Sequence, residues 1–484
     1  MNTVRNQLIK GTAYSALAKY SGVVISLIVT AILARLLSPE DFGIATVATI
    51  VISFLSLFSS FGFEPAIIQF KNLTNNDYSN IFSFTFWIGI FLTVAFYLIA
   101  KPISHFYQND SLIIILRLLC INLLFATLNV VPNALIYKDK LFRFIAIRSF
   151  IVQVIGGIVS VFAALLGAGV YALIIAPIFS SVIIFILNIR KFPQKLALTF
   201  GIESLKKILS YSLYQFLFSI LNFFSKSLDK LIIGKGIGMD LLGFYEKSYR
   251  LMMLPVQNIT YVMNPVIHPV FSDLQSNLEK MAKSYEKMIR VLAFLGFSIS
   301  VLLYFNAEEL VLILFGHNWI RSIPSFEILS LSVGFQIILS TSGSIFQASN
   351  STKHLFIFGL ITSLISLSAV VLFLVIYNTI ESVAWAVTIS SVINFGIIYL
   401  VMYKRILNRG LINLLKLFPS PLFISVILIS VNILSDMLFS IKSPLISLII
   451  SGSLSLIVFV LYIQFTKEYD ILREIRMFVK KRGS

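Results

Sequence analysis

Five polar side chains, Gln215, Ser219, Asn222, Lys226 and Asp229, recur at steps of 4, 3, 4 and 3 along an otherwise apolar run. On a helix of 3.6 residues per turn they fall on one stripe. Ionisable groups are expensive inside a membrane-spanning helix and usually face a partner or a water-filled cavity. The stripe therefore points to a helix lining an aqueous cleft, with a cation and a carboxylate at membrane depth. The plainer alternative is a Lys226–Asp229 pair across one turn, packed on a neighbour, with Lys230 snorkelling to the interface. Beyond the stripe, Gly234, Gly236 and Gly238 predict an unwound turn, and the chain re-enters the membrane after Leu242, Gly243 and Phe244.

Other polar groups sit within apolar runs. Asn122, Asn129 and Asn133 share one run, Asn258, Tyr261 and Asn264 a second, and Gln336, Ser340, Ser344 and Gln347 a third. Taken singly, each Asn or Gln is glue between helices, worth about 0.6 kcal/mol. Taken together on facing helices, they favour a wet cleft. The chain holds no catalytic constellation. His105, His268, His317 and His354 are scattered without metal-ligand spacing, and no zinc-protease, nucleophile-elbow or P-loop motif occurs. Adjacent Glu308 and Glu309 read as an external loop. An enzyme is not expected, nor a cofactor or a metal.

The elements that must position these residues are membrane helices. The 484 residues are 58% hydrophobic and 12% charged, with a mean hydropathy of +0.94. Soluble domains are about half apolar and about a quarter charged. Cys120 is the single cysteine, which excludes an intrachain disulfide. A span needs about 20 apolar residues. Fourteen are expected, near 11–34, 42–63, 79–100, 112–136, 144–166, 168–188, 208–234, 248–267, 291–306, 322–348, 355–377, 382–403, 417–434 and 443–465. With the N-terminus inside, cytoplasmic segments hold 26 of the 38 Lys and Arg, and external ones hold 6. This asymmetry predicts both termini inside. It also explains the net charge of +17 as a topology signal rather than a nucleic-acid footprint. Lys467 to Ser484 reads as a basic amphipathic tail on the cytoplasmic surface.

An internal repeat organises the spans. A shift of 200 residues superposes Tyr14 on Tyr214, Ile32 on Ile232, Arg35 on Lys235, Glu40 on Asp240 and Gly43 on Gly243. Its most specific element is a basic residue, an acid five positions later and a glycine three beyond that. Six spans per repeat, an even number, give the halves one orientation and an axis along the membrane normal. The expected organisation is all-α: a first lobe of six helices over 1–190, a second over 191–406, two further helices over 407–466, and the tail over 467–484.

Three stretches carry a resemblance. They are Leu36-Leu37-Ser38-Pro39-Glu40-Asp41-Phe42-Gly43, Gly62-Phe63-Glu64-Pro65-Ala66-Ile67-Ile68-Gln69, and Leu228-Asp229-Lys230-Leu231-Ile232-Ile233-Gly234 with Leu242-Gly243-Phe244-Tyr245. With the chain length and span number, they resemble the Wzx-type polysaccharide flippases, in the polysaccharide-transport branch of the MOP superfamily. That branch is related to MATE exporters and the lipid II flippase. The resemblance implies a MATE-like fold in a bacterial inner membrane. It implies transport of an undecaprenyl-pyrophosphate-linked oligosaccharide from the cytoplasmic to the periplasmic leaflet by alternating access, for capsule, O-antigen or exopolysaccharide assembly. Its partners would be that lipid-linked oligosaccharide, the bilayer and other polysaccharide-assembly proteins.

The residues suit such a substrate. A pyrophosphate needs cations to cross a medium hostile to bare charge. Lys19 and Lys226 are the leading candidates, then Arg35 and Arg117; Lys19 is as readily read as snorkelling, and Arg148, near a cytoplasmic end, is expected to snorkel. Gln215, Asn222, Asn129, Asn133, Asn258 and Gln336 are candidates for sugar hydroxyls and the cleft wall. Asp229 is the candidate for coupling to a proton or sodium ion. Two rival readings remain. A MATE-like exporter of cationic drugs would favour a carboxylate-lined cleft, whereas most intramembrane charges here are basic. A non-transporting polymerase or scaffold of glycan assembly is the other.

Overall fold

The computed structural model describes residues 2–196, 201–275, 277–439 and 443–466. All regular structure among them is helical. The expected tail, Lys467 to Ser484, lies outside the described residues. Two compact units divide the chain, Met1–Glu246 and Lys247–Ser484.

The first unit holds α1 (Asn2–Leu36), α2 (Pro39–Ser60), α3 (Phe63–Gln69), α4 (Asn75–Tyr107), α5 (Ser111–Leu128), α6 (Val130–Lys138), α7 (Phe142–Leu165), α8 (Tyr171–Lys191) and α9 (Ile202–Gly236). Helix α10 (Met239–Ser272) begins there and runs into the second unit. Local chemistry sets several boundaries. Ser38 and Asp41 form a capping box at the start of α2, and Thr74 and Asp77 form one at α4. Phe61 and Gly62, both with positive φ, bend the chain between α2 and α3. Lys138 then ties down the end of α3. Its Nζ donates to Ile67 O at 2.9 Å, Phe70 O at 2.6 Å and Tyr78 Oη at 2.8 Å. A core of Phe63, Ile67, Ile81, Val131, Ala134 and Ile208 joins α3, α4, α6 and α9.

Helix α9, expected to open a second lobe, packs on α2, α3 and α4 within the first compact unit. The predicted unwinding at three glycines is narrower in the structure. Helix α9 continues through Gly234 to Gly236, and only Ile237 and Gly238 form the turn. At Gly234 a Cβ would lie 3.0 Å from Leu242 Cδ2 and 3.2 Å from Val47 Cγ2, so this glycine serves close packing.

The second unit continues with α11 (Leu278–Phe305), α12 (Ala307–Leu314), a 3-10 turn at His317–Ser322, α13 (Ile323–Ser330), α14 (Val333–Leu339) and α15 (Ser342–Ala348). Then come α16 (Thr352–Tyr377), α17 (Ile380–Val401), a π-turn at Met402–Ile406, α18 (Leu411–Leu415), α19 (Pro419–Leu438) and α20 (Pro444–Phe465). Buried Tyr285 and Tyr399 join α11 to α17 by hydroxyls 2.7 Å apart, and Tyr399 Oη donates to Ile338 O of α14 at 3.0 Å. Glu309 is not in a loop: it lies in the first turn of α12 and accepts from Ser447 Oγ at 2.8 Å.

Among the described residues, 11 helices are long and apolar enough to cross a membrane, or 12 if the pair bent by 52° over His317–Ala348 is one span. Helices α9 and α10 stand where the seventh and eighth spans are expected; both carry charged residues along their length. Large apolar side chains line the outer surface, with Val375 77% and Phe465 82% exposed. Such a surface is stable in lipid and a liability in water.

Candidate functional site

Two polar constellations lie inside the first unit. The first is a buried network joining four elements. Asn133 of α6 donates from Nδ2 to Glu64 Oε1 of α3 at 2.7 Å. Asn188 of α8 donates from Nδ2 to Asn129 Oδ1 at 2.8 Å and to Asn133 Oδ1 at 3.3 Å. The Arg148 guanidinium of α7 donates to Asn188 Oδ1 and reaches Asn133 Oδ1 at 3.5 Å. Asn188 is 0% exposed and Arg148 6%. Arg148 therefore does not snorkel; its charge is held inside by amide oxygens, with Glu64 in its field. Burial pushes the Glu64 carboxyl above its usual range, opposed by the Asn133 hydrogen bond and the Arg148 charge.

This network contains two expected residues, Asn129 and Asn133, and three that spacing alone did not single out. Each amide needs donors and acceptors that only other elements can supply, because burial removes water. Asn129 also marks a break: the expected single span over 112–136 is divided there into α5 and α6. Asn122 is the plain interhelical case, donating to Pro177 O at 2.8 Å.

The second constellation is the polar stripe of α9. Asp229 does not pair with Lys226. Its Oδ2 accepts from Tyr245 Oη of α10 at 3.0 Å, and Oδ1 is buried without a hydrogen-bond partner. Lys230 pairs with Glu246 at 2.6 Å rather than snorkelling, its side chain only 14% exposed. Lys226 is exposed and has no partner among the described residues. Gln215 and Asn222 are half-buried on the same helix, where Gln215 packs beside Gly62.

The remaining candidates are dispersed. Lys19 is half-buried and Arg35 exposed, both on α1. Arg117 of α5 stacks on Tyr97 of α4, its guanidinium carbon 4.4 Å from the ring centre, so an aromatic face rather than an acid offsets its charge. In the second unit, Asn258 turns back on Leu254 O at 2.8 Å and leaves Oδ1 buried without a partner. Gln336 donates to Ser332 Oγ at 2.8 Å and approaches Met252 Sδ at 3.5 Å.

The α1–α2 and α9–α10 junctions share a register 200 residues apart. Helix α1 ends at Leu36 and α9 at Gly236; α2 starts at Pro39 and α10 at Met239. The two starts touch through the repeated glycines. A Cβ at Gly43 would lie 1.8 Å from Met239 O, and one at Gly243 would lie 1.9 Å from Pro39 O. The contact is reciprocal: each glycine meets the repeat counterpart of the residue that its own partner meets.

Comparison with known proteins bears on what such an arrangement serves. A family described as polysaccharide biosynthesis protein matches residues 32–324. An uncharacterized membrane protein in the cps region of Klebsiella pneumoniae is 24% identical over 87% of this chain and 87% of its own. The succinoglycan biosynthesis transport protein ExoT of Rhizobium meliloti is 24% identical over 80% of this chain and 78% of its own. Among solved structures, the lipid II flippase MurJ in an inward closed conformation superposes with a TM-score of 0.76 at 16% identity, covering 94% of this chain and 98% of that one. An inward-facing MATE family transporter of the MOP superfamily gives 0.62 at 17% identity, covering 80% and 94%.

Proposed function

We propose, from the premise that this chain belongs to the polysaccharide biosynthesis protein family as a Wzx-type member of the MOP superfamily, that it flips an undecaprenyl-pyrophosphate-linked oligosaccharide from the cytoplasmic to the periplasmic leaflet. Family and fold are those of membrane transporters and flippases. In this reading the membrane is a bacterial inner membrane with both termini inside. Two six-helix lobes over 1–190 and 191–406, related by an axis along the membrane normal, alternate access around the polar helices. The shared register of the α1–α2 and α9–α10 junctions supports that repeat.

The observation that carries the proposal is Lys226, a cation on the polar stripe of α9, exposed and without an acidic partner among the described residues. An ammonium in this setting suits a phosphate oxygen. Lys19 on α1, the repeat counterpart of α9, is the second cation. Arg35 and Arg117 are weaker contributors, since Arg35 sits at the end of α1 and Arg117 is held on Tyr97. Gln215 and Asn222 serve sugar hydroxyls in this scheme. Asp229, with one oxygen on Tyr245 and the other buried and open, is the coupling residue for a proton or sodium ion.

The test is a vesicle assay following a fluorescent polyprenyl-pyrophosphate sugar between leaflets. Lys226→Ala abolishes flipping at normal expression, and Lys226→Arg retains more activity than Ala. Wild-type flipping by Lys226→Ala removes Lys226 from the site. Efflux of cationic drugs without movement of the lipid-linked sugar would favour the exporter reading instead.

A further inference from the structure

The loop from α6 to α7 and the first turns of α7 border an open groove of about 620 Å³, which the transport reading does not use. Its rim carries two exposed cations, Lys140 and Arg143. Its wall is apolar: Phe144, Ile147 and Ile151 follow one another at near-turn spacing along α7, and Leu187 of α8 faces the same space. Ile147 and Ile151 are each 48% exposed. Buried Arg148 contributes to the lining, and its Nε has no hydrogen-bond partner. No acidic side chain lines the groove.

Two cations above an apolar stripe have the layout of an anionic lipid. The headgroup meets the charges at the membrane surface, and an acyl chain follows the stripe into the bilayer. The charge asymmetry of the loops assigns 137–143 to the inside, where anionic lipids attract basic segments. A free phosphate would use only the rim and leave the apolar wall open. The volume lies within the range of about 300–1,000 Å³ typical of small-molecule sites, whereas a stable protein partner needs a far larger contact. We infer that the α7–α8 groove is a seat for an anionic phospholipid of the cytoplasmic leaflet, with its headgroup phosphate on Lys140 and Arg143.

The full-length protein in phosphatidylcholine nanodiscs provides the test. Phosphatidylglycerol and phosphatidylcholine probes, each with a photoreactive acyl chain, are titrated and cross-linked, and labelled peptides are mapped. The phosphatidylglycerol probe labels the 140–151 peptide at lower concentration than the phosphatidylcholine probe. Each rim cation contributes about 5-fold, so Lys140→Gln with Arg143→Gln weakens labelling about 25-fold, towards the phosphatidylcholine level. Both positions are exposed, so the variants keep the wild-type elution profile. Arg190→Gln with Lys191→Gln, at the end of α8 but outside the groove lining, leaves labelling unchanged. Equal labelling by both probes, no loss in the rim variant, or an equal loss in the α8 variant would overturn the seat. Displacement of the probe by equimolar undecaprenyl pyrophosphate would also overturn it, by assigning the groove to the transported lipid.

Discussion

Replacing Gly43 by alanine tests the reciprocal contact of α2 and α10 most directly. The new Cβ would sit 1.8 Å from Met239 O and 2.7 Å from Met239 C. Both are backbone atoms, which cannot rotate away as a side chain would. Reaching even 3.0 Å requires the helices to part by about 1.2 Å at the crossing. Overpacking of this kind costs roughly 1–3 kcal/mol, a shift of about 5- to 150-fold in a folding equilibrium. Gly243→Ala meets Pro39 O at 1.9 Å and carries a similar cost. The double variant costs less than the sum, because one separation relieves both clashes, with a coupling of about 0.5 kcal/mol or more. Cys120, the single cysteine and buried, supplies the readout: its reaction with a maleimide dye during heating reports unfolding. Gly359→Ala is the control. Nothing lies near its would-be Cβ, and losing a mid-helix glycine stabilises by about 1 kcal/mol. Wild-type melting by Gly43→Ala would refute the backbone contact, and full additivity of the two alanines would refute its shared nature.

Asn188→Ala strips the Arg148 guanidinium of its nearest acceptor and costs about 1.5–3 kcal/mol in the same melting assay, against about 1 kcal/mol for Asn122→Ala, which loses one neutral hydrogen bond. Glu64 makes stability depend on pH. Its folded pKa is raised above 4.5, so its contribution is fully present below 4.5 and is lost as pH rises through the folded value. Melting followed by tryptophan fluorescence should therefore fall with rising pH in the wild type and stay flatter in Glu64→Gln; identical pH profiles would remove Glu64 as the cause. Cysteine at Lys195, in a Cys120→Ala background, should resist an impermeant thiol reagent in intact cells and react after permeabilisation, as the 26-to-6 distribution of basic loop residues requires.

What the sequence reveals, and what it hides, follows from the range of the forces. Apolar run length gives the helices, since a span is a local property. Asn129 and Asn133 stand out because an amide in an apolar run needs a partner wherever it lies. The partner itself is a different matter. Arg148 lies 40 residues from Asn188 and 15 from Asn133, and nothing local says which face of α7 its neighbours cover. Proximity to a helix end suggests escape to water, whereas three other elements close over the side chain. Asp229 errs in the opposite direction. Lys226, one turn away, looks like the natural partner, but the turn at Ile237 and Gly238 brings Tyr245 back against the carboxylate. The breaks at Asn129 and near Ser332 are the local exception: Pro132 cannot donate to Leu128 O, and Gly334 N donates to Ser300 Oγ instead.

The motif shared by the two junctions shows how few residues a reciprocal helix contact requires. Arg35 and Lys235 each lie in the last turn of a long helix, where a cation meets the negative end of the dipole. Lys235 also bonds to Phe106 O and lies over the Phe106 ring, 4.8 Å from its centre. Glu40 and Asp240 open the next helices, where acids meet the positive end. Gly43 and Gly243 come one turn into those helices, where each backbone must pass the other. Pro39 and Met239, the residues they pass, share the register but not the chemistry, because only their backbones take part. Identity is demanded at the glycines, charge sign at the flanking positions, and nothing at the contacted residues. The two junctions can therefore differ at most positions and still keep this reciprocal contact.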